Sequence, residues 1–297
     1  MRERRMDVFS QLIHNDGAIL LDGAMGTMLL AAGMHSGTPP ETWNVSHPEI
    51  VRGIHRRYIE AGARIILTNS FGGNRYRLGM HGLEGRVKEL NKAAGGNARM
   101  TADSSLLPVL VAGSIGPTGQ LLKPYGPLSV EDVIAAYAEQ AIGLVEGGVQ
   151  MFWIETMVDL GEAMAAVEGV RSTSDLPVAV TMTFVRHGRT IMGVGPDTAV
   201  QELGKLDLAA IGANCGNGPE EILQVIQVMH VTSPQTLLIA KSNAGLPELR
   251  DSGIFYDGTP ELMAEYARKA RSAGAKLIGG CCGTTPAHIE AMAKALS

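Results

Sequence analysis

Cysteine is scarce, with three in 297 residues. A small odd number argues against a disulfide framework and fits a reducing compartment, the cytoplasm. Basic runs are absent and the net charge is −5, so nothing in the composition points to nucleic acid. No apolar run approaches the length that crosses a bilayer, which excludes a membrane-spanning reading. The opening "MRERRMDVFSQLIHNDGAILL" has basic residues but no uninterrupted apolar core and no small-residue cleavage pattern. It therefore reads as no signal peptide. Internal repeats, low-complexity tracts and linkers are also missing, and no glycine fingerprint for a dinucleotide follows the first apolar run; "GVGPDT" at 193–198 is a poor match to one.

What is present is an alternation. Eight short apolar runs recur: "AILLDGAMG", "ARIILTNSFGG", "LPVLVAGSIGPTG", "MFWIETM", "LPVAVTMTF", "LAAIGANCGNG", "TLLIAKSNAG" and "AKLIGGCCGTT". Most have the length and Val/Ile/Leu content of strands buried on both faces. Helix-like stretches lie between them. "SVEDVIAAYAEQAIGLVEGG" opens with Ser129 three residues before Asp132, a capping-box pattern. "GPEEILQVIQVMH", "TPELMAEYARKARSAG" and "TPAHIEAMAKAL" place proline at the first helical position. This predicts an α/β fold, a (β/α)8 TIM barrel, with residues 1–297 as a single barrel domain. A doubly wound open sheet is the disfavoured alternative. The paired glycines of "AAGGNARMTADSS" are expected to break or fray the second helix, at about 1 kcal/mol each relative to alanine.

Barrel chemistry gathers at the C-terminal ends of the strands. Those ends read Asp22-Gly23, Thr68-Asn69, Gly113-Ser114, Glu155-Thr156, Thr183-Phe184, Asn214-Cys215, Ser242-Asn243 and Cys281-Cys282. All three cysteines thus fall on one rim. Adjacent strand residues point to opposite faces, so Cys281 and Cys282 serve one site only where the backbone bends, and Gly279, Gly280 and Gly283 supply that freedom. Three thiolates at one point need a cation, and zinc accepts such a set at about 2.3 Å per Zn–S bond. Three protein ligands leave the fourth position open, the pattern of a catalytic zinc. Buried cysteines acting as small hydrophobes, or a redox pair, are the competing readings. A three-thiolate zinc is electron-rich and suits a substrate thiol. Coordination removes the proton of a group whose free pKa is about 8.5 and leaves it nucleophilic. The implied chemistry is alkylation of a bound thiol.

"DGAMGT", "TNSFGGNRYRL", "GSIGPTG", "WIETM", "GANCGNGPE", "SNAGLPE" and "GGCCGTTPAHI" occur in order across nearly the whole chain. In these motifs the sequence resembles the homocysteine S-methyltransferases, which include betaine–homocysteine methyltransferases and the homocysteine module of cobalamin-dependent methionine synthase. The resemblance implies a (β/α)8 barrel, Zn2+ held by Cys215, Cys281 and Cys282, and homocysteine as methyl acceptor. It makes Glu155 the carboxylate for the homocysteine ammonium and places Asp22 beside the substrate. An ammonium needs a charged acceptor. Asn69 and Ser114, at the second and third rims, join the substrate-binding set. Asn243 resembles a position that fills the open zinc site when substrate is absent.

The resemblance leaves the donor to be chosen. The sequence has no room for folate and cobalamin modules, so a small onium compound such as glycine betaine is expected. A sulfonium or a separate methyl-corrinoid protein partner is the alternative. Trp43, in "PETWNVSHPE", matches a tryptophan that contacts the quaternary ammonium in betaine-using members, where cation–π attraction is worth about 0.5–2 kcal/mol; a packing residue under a loop is the competing reading. The tyrosines that the animal betaine enzymes carry are here Gly72 and Thr156. A different aromatic cage is therefore expected, from Phe71, Phe184 and Tyr76. The expected enzyme makes methionine by in-line attack of the sulfur on the donor methyl, without a general base at that carbon. A non-catalytic zinc-binding or corrinoid-docking subunit and an unrelated barrel enzyme are the rivals. A homo-oligomer is compatible with the barrel exterior.

Overall fold

A computed structural model describes residues 2–14, 17–185, 187–250 and 253–297. All eight apolar runs form strands: β1 (Ile19–Leu20), β2 (Ile65–Leu67), β3 (Leu110–Ile115), β4 (Met151–Met157), β5 (Val178–Met182), β6 (Ala210–Cys215), β7 (Leu238–Ser242) and β8 (Ala275–Gly280). They lie parallel in the order β1-β8-β7-β6-β5-β4-β3-β2. A parallel bridge between Leu21 and Ile65 joins the two ends. The Asp22 amide donates to the Ile65 carbonyl at 3.1 Å and the Arg64 amide to Leu20 at 2.8 Å. The expected (β/α)8 barrel is what forms.

The strand period of two sorts the side chains. Ile19, Leu21, Leu67, Ala112, Trp153, Ala179, Ile239 and Leu277 fill the interior as one buried cluster. Phe9 and Leu12, from the helix Arg2–Ile13, belong to the same cluster. The first helix thus covers the barrel's N-terminal end. The alternate strand residues, among them Leu20, Ile66, Val111, Phe152, Val180 and Ala240, face the surrounding helices in a second, larger cluster.

One step further along the inward rows the character changes. Ser114 lies two residues beyond Ala112, Glu155 two beyond Trp153, Thr181 two beyond Ala179 and Lys241 two beyond Ile239. All four are buried. A polar layer therefore sits directly on the apolar plug, at the C-terminal end where barrel chemistry is done.

Capping follows the sequence. Ser129 and Asp132 form a reciprocal capping box on Val130–Glu146, and prolines 219, 260 and 286 each occupy the first helical turn. The paired glycines do not break their helix, which runs uninterrupted from Val87 to Asp103. The reason is close packing. A Cβ on Gly95 would stand 2.9 Å from the Gly147 Cα, so this glycine lets two helices approach to backbone contact. A two-stranded antiparallel hairpin, Pro247–Arg250 with Gly253–Tyr256, follows β7.

Candidate active site

The three cysteines converge. Cys215 ends β6, and Cys281 and Cys282 follow β8. Their sulfurs all lie within 4.8 Å of one another, with Cys215 and Cys282 at 3.8 Å. Tetrahedral coordination at about 2.3 Å per bond puts ligand sulfurs about 3.8 Å apart. The donor set and its spacing fit one zinc.

Local backbone explains how neighbours in sequence share a site. The chain turns after Gly280: the Cys281 amide donates to Ser242 O at 2.7 Å, the Ala244 amide to Cys282 O at 2.9 Å, and the Thr284 hydroxyl to Cys281 O at 2.7 Å. Gly283 has φ 79°, the left-handed conformation glycine adopts without strain. Gly279 and Gly280 serve differently from the expectation. A Cβ at Gly280 would meet Thr284 Oγ1 at 2.3 Å and one at Gly279 would meet Leu21 Cβ at 2.6 Å. They permit close packing rather than bending. Cys215 itself sits at φ 64°, as does Thr156 across the rim. Non-glycine residues held there mark sites where surrounding contacts overrule local preference.

Those contacts come from Asn214, which sequence reasoning placed on the rim but gave no task. Its Oδ1 accepts from the Thr156 amide at 2.9 Å and from Thr181 Oγ1 at 2.8 Å, and its Nδ2 donates to Thr156 Oγ1 at 2.8 Å. Nδ2 also faces Cys281 Sγ at 3.7 Å. One fully buried amide therefore ties β4, β5 and β6 together and touches a sulfur. Tyr256, from the hairpin, hydrogen-bonds Cys282 and was likewise missed. Hydrogen bonds from Cys215 and Cys281, with a further one from Tyr256, hold Cys282 well below the usual thiol range, while hydrogen bonding and burial raise Cys215.

A cavity of about 470 Å³ opens onto these sulfurs. Asp22, Asn69, Ser114, Glu155, Lys241 and all three cysteines line it. Glu155 Oε1 accepts the Ser114 hydroxyl at 2.5 Å. Burial raises the Glu155 carboxyl from 4.5 to about 7, against the pull of Lys241. Asp22 Oδ2 accepts the Leu67 amide at 2.7 Å and Oδ1 the Lys241 ammonium at 3.2 Å. Burial raises Asp22 too, with Lys241 and the Leu67 amide opposing. Asn69 Nδ2 donates to Pro40 O at 2.7 Å and to Asn44 Oδ1 at 3.2 Å, fixing the loop that forms one wall.

Other expected residues are placed elsewhere. Asn243 is buried beside the cluster rather than in the cavity wall. Its Nδ2 donates to Gly216 O at 2.9 Å, and its buried Oδ1 has no hydrogen-bond partner among the described residues. Trp43 is not in the wall either. Its ring stacks on His47 with centroids 4.2 Å apart and is buried in the outer core. Phe184 is wholly buried and Tyr76 packs on the same core. Of the aromatic candidates for the donor side, Phe71 alone lines the cavity, together with Gly72, Thr156, Met80 and Arg77.

This geometry has counterparts. The family model for homocysteine S-methyltransferase matches residues 19–296. The metallated form of the homocysteine methyltransferase MmuM from Escherichia coli superposes with a TM-score of 0.83 at 27% identity, covering 97% of this chain and 99% of that one. Its oxidized form gives 0.83 at 28% identity, over 98% and 99%. The methionine synthase of Mycobacterium tuberculosis is 34% identical over 311 residues, 98% of this chain and 25% of that protein. That of Mycobacterium leprae is 35% identical over 295 residues, 93% and 24%. The chain spans about a quarter of the length of these two relatives. The chain belongs to the homocysteine S-methyltransferase family.

Proposed function

We propose that the chain binds zinc through Cys215, Cys281 and Cys282 and transfers a methyl group from a small onium donor to the sulfur of homocysteine, giving methionine. The carrying observation is the convergence of three sulfurs within 4.8 Å at the floor of one cavity. Asn243 Oδ1, buried without a hydrogen-bond partner among the described residues, supports a fourth, exchangeable ligand position. Zinc would supply Lewis acidity that keeps the substrate thiol deprotonated at neutral pH.

The chain's own residues do the positioning. Glu155, with Oε1 held by Ser114, offers its other oxygen to the substrate ammonium. Asn214 fixes the backbone at Cys215 and touches Cys281, so the sulfurs keep their places as charge changes. The wall around Phe71 and Met80 faces the same cavity, and an aromatic face with a thioether suits an onium methyl group. Alignment of two substrates in one pocket is the main source of rate. The similarity to methionine synthases favours a second reading, in which a methyl-corrinoid protein delivers the methyl group to the same sulfur.

The test is methionine formation by the zinc-loaded chain from homocysteine and glycine betaine alone. Methionine that disappears with zinc in Cys215→Ser supports the onium reading. Zinc bound with no methionine moves the donor to a sulfonium or to a corrinoid protein. Full zinc content and full activity in Cys215→Ser overturns the metal assignment.

A further inference from the structure

Lys241 is out of keeping with its strand. β7 reads Leu-Ile-Ala-Lys-Ser and is buried throughout. The lysine points into the barrel above Trp153, its ammonium 5.9 Å from that ring centroid, and is 3% exposed. A buried ammonium is costly unless paired and hydrogen-bonded. Burial alone would lower its pKa, but Asp22 and Glu155 hold it above the ordinary lysine value, so it stays charged.

Its pairing is incomplete. One N–H reaches Asp22 Oδ1 at 3.2 Å, and the other two have no acceptor among the described residues. An ammonium offers three donors. Asp22 is meanwhile committed at both oxygens, to Lys241 and to the Leu67 amide. Glu155 is the carboxylate with an oxygen to spare. The cavity thus presents three complements in one enclosure: three sulfurs, a carboxylate with a vacant oxygen, and an ammonium with vacant donors. A molecule bearing a thiol, an ammonium and a carboxylate matches all three.

We propose that Lys241 receives the carboxylate of the thiol substrate and so restricts acceptors to α-amino-acid thiols. The inference rests on the reading that a thiol substrate meets the three cysteines. If Lys241 were only the counter-ion of Asp22, its removal would weaken every thiol alike.

The experiment is calorimetric binding to the zinc-loaded full chain of L-homocysteine and of 3-aminopropane-1-thiol, the same molecule without its carboxylate. The expected wild-type preference for homocysteine is about tenfold to a hundredfold, the worth of a charge-assisted hydrogen bond. Lys241→Met should remove most of that preference while 3-aminopropane-1-thiol binds within about twofold of wild type. Lys241→Arg should restore part of it. Because Lys241→Met strands a buried Asp22 charge, the double variant Asp22→Asn, Lys241→Met provides a charge-neutral background for the same comparison. Equal losses for both thiols, or an unchanged preference, overturns the role of Lys241 alone. A wild-type protein that binds zinc but neither thiol overturns the acceptor reading beneath it.

Discussion

Glu155 shows at the scale of one residue how function and stability pull apart. Its carboxyl is raised from 4.5 to about 7, chiefly by burial. A group raised in the folded state contributes stability that is full below its unfolded value and is lost as pH climbs through the folded one. The loss here runs from about pH 4.5 to about 7 and amounts to about 3 kcal/mol. Glu155→Gln is therefore expected to make the substrate-free protein more stable at pH 8 by about 1–3 kcal/mol, with the gain shrinking as pH falls toward 5. The same change should weaken homocysteine binding. Denaturant melts at several pH values, with calorimetric titration of homocysteine, check both parts; a variant destabilised at pH 8 would contradict the account. Glu155 and Asp22 were singled out through the resemblance to the family, and the fold brings both to the cavity wall. Lys241 was visible, a lone charge in "TLLIAKSNAG", but the run reads as a strand first and the inward row is apparent only once register is known. Asn214 was missed because an asparagine beside a cysteine has no signal of its own; its task comes from β4 and β5, far away in sequence. Trp43 reads in the sequence equally as a donor contact or as a packing residue under a loop, and the contact that seats its ring is His47, four residues on.

At the scale of elements, packing decided what propensity could not. All eight strands followed from short apolar runs, since a parallel barrel buries both faces of each strand. The helix starts followed from serine and proline chemistry. The glycine pair in Val87–Asp103 misled because propensity records only the backbone cost. The gain lies across the crossing, where Gly95 meets Gly147. Gly95→Val should lose about 1–3 kcal/mol through overpacking against backbone that cannot yield. Gly96→Ala in the same helix should be neutral or stabilising, because its Cβ would meet nothing within 4 Å. Thermal melts of the two variants test this pairing; equal effects would contradict it. The hairpin after β7 left no clear mark in the sequence, being two strands of four residues each, and it brings Tyr256 to Cys282.

At the scale of the molecule, the barrel separates two tasks along its axis: an apolar plug closed by Phe9 and Leu12 below, and a polar layer with three sulfurs above. Among the described residues no helix is long and apolar enough to cross a membrane. Acid tolerance is expected to depend partly on His55, which is fully buried with neither ring nitrogen partnered among the described residues and whose pKa burial lowers from 6.5 to about 4. A lowered value contributes stability that is present above about pH 6.5 and lost as pH falls toward 4, about 3 kcal/mol in all. His55→Leu should flatten that loss, seen as a smaller drop in denaturation midpoint between pH 7 and pH 5 than in wild type; an unchanged drop would contradict the assignment. The central claim remains the metal. X-ray absorption at the zinc edge, on the zinc-loaded chain before and after homocysteine, tests it most directly. The account predicts three sulfur neighbours at about 2.3 Å that become four when homocysteine binds. Fewer than three sulfurs at the start, or no added sulfur with homocysteine bound, would contradict it.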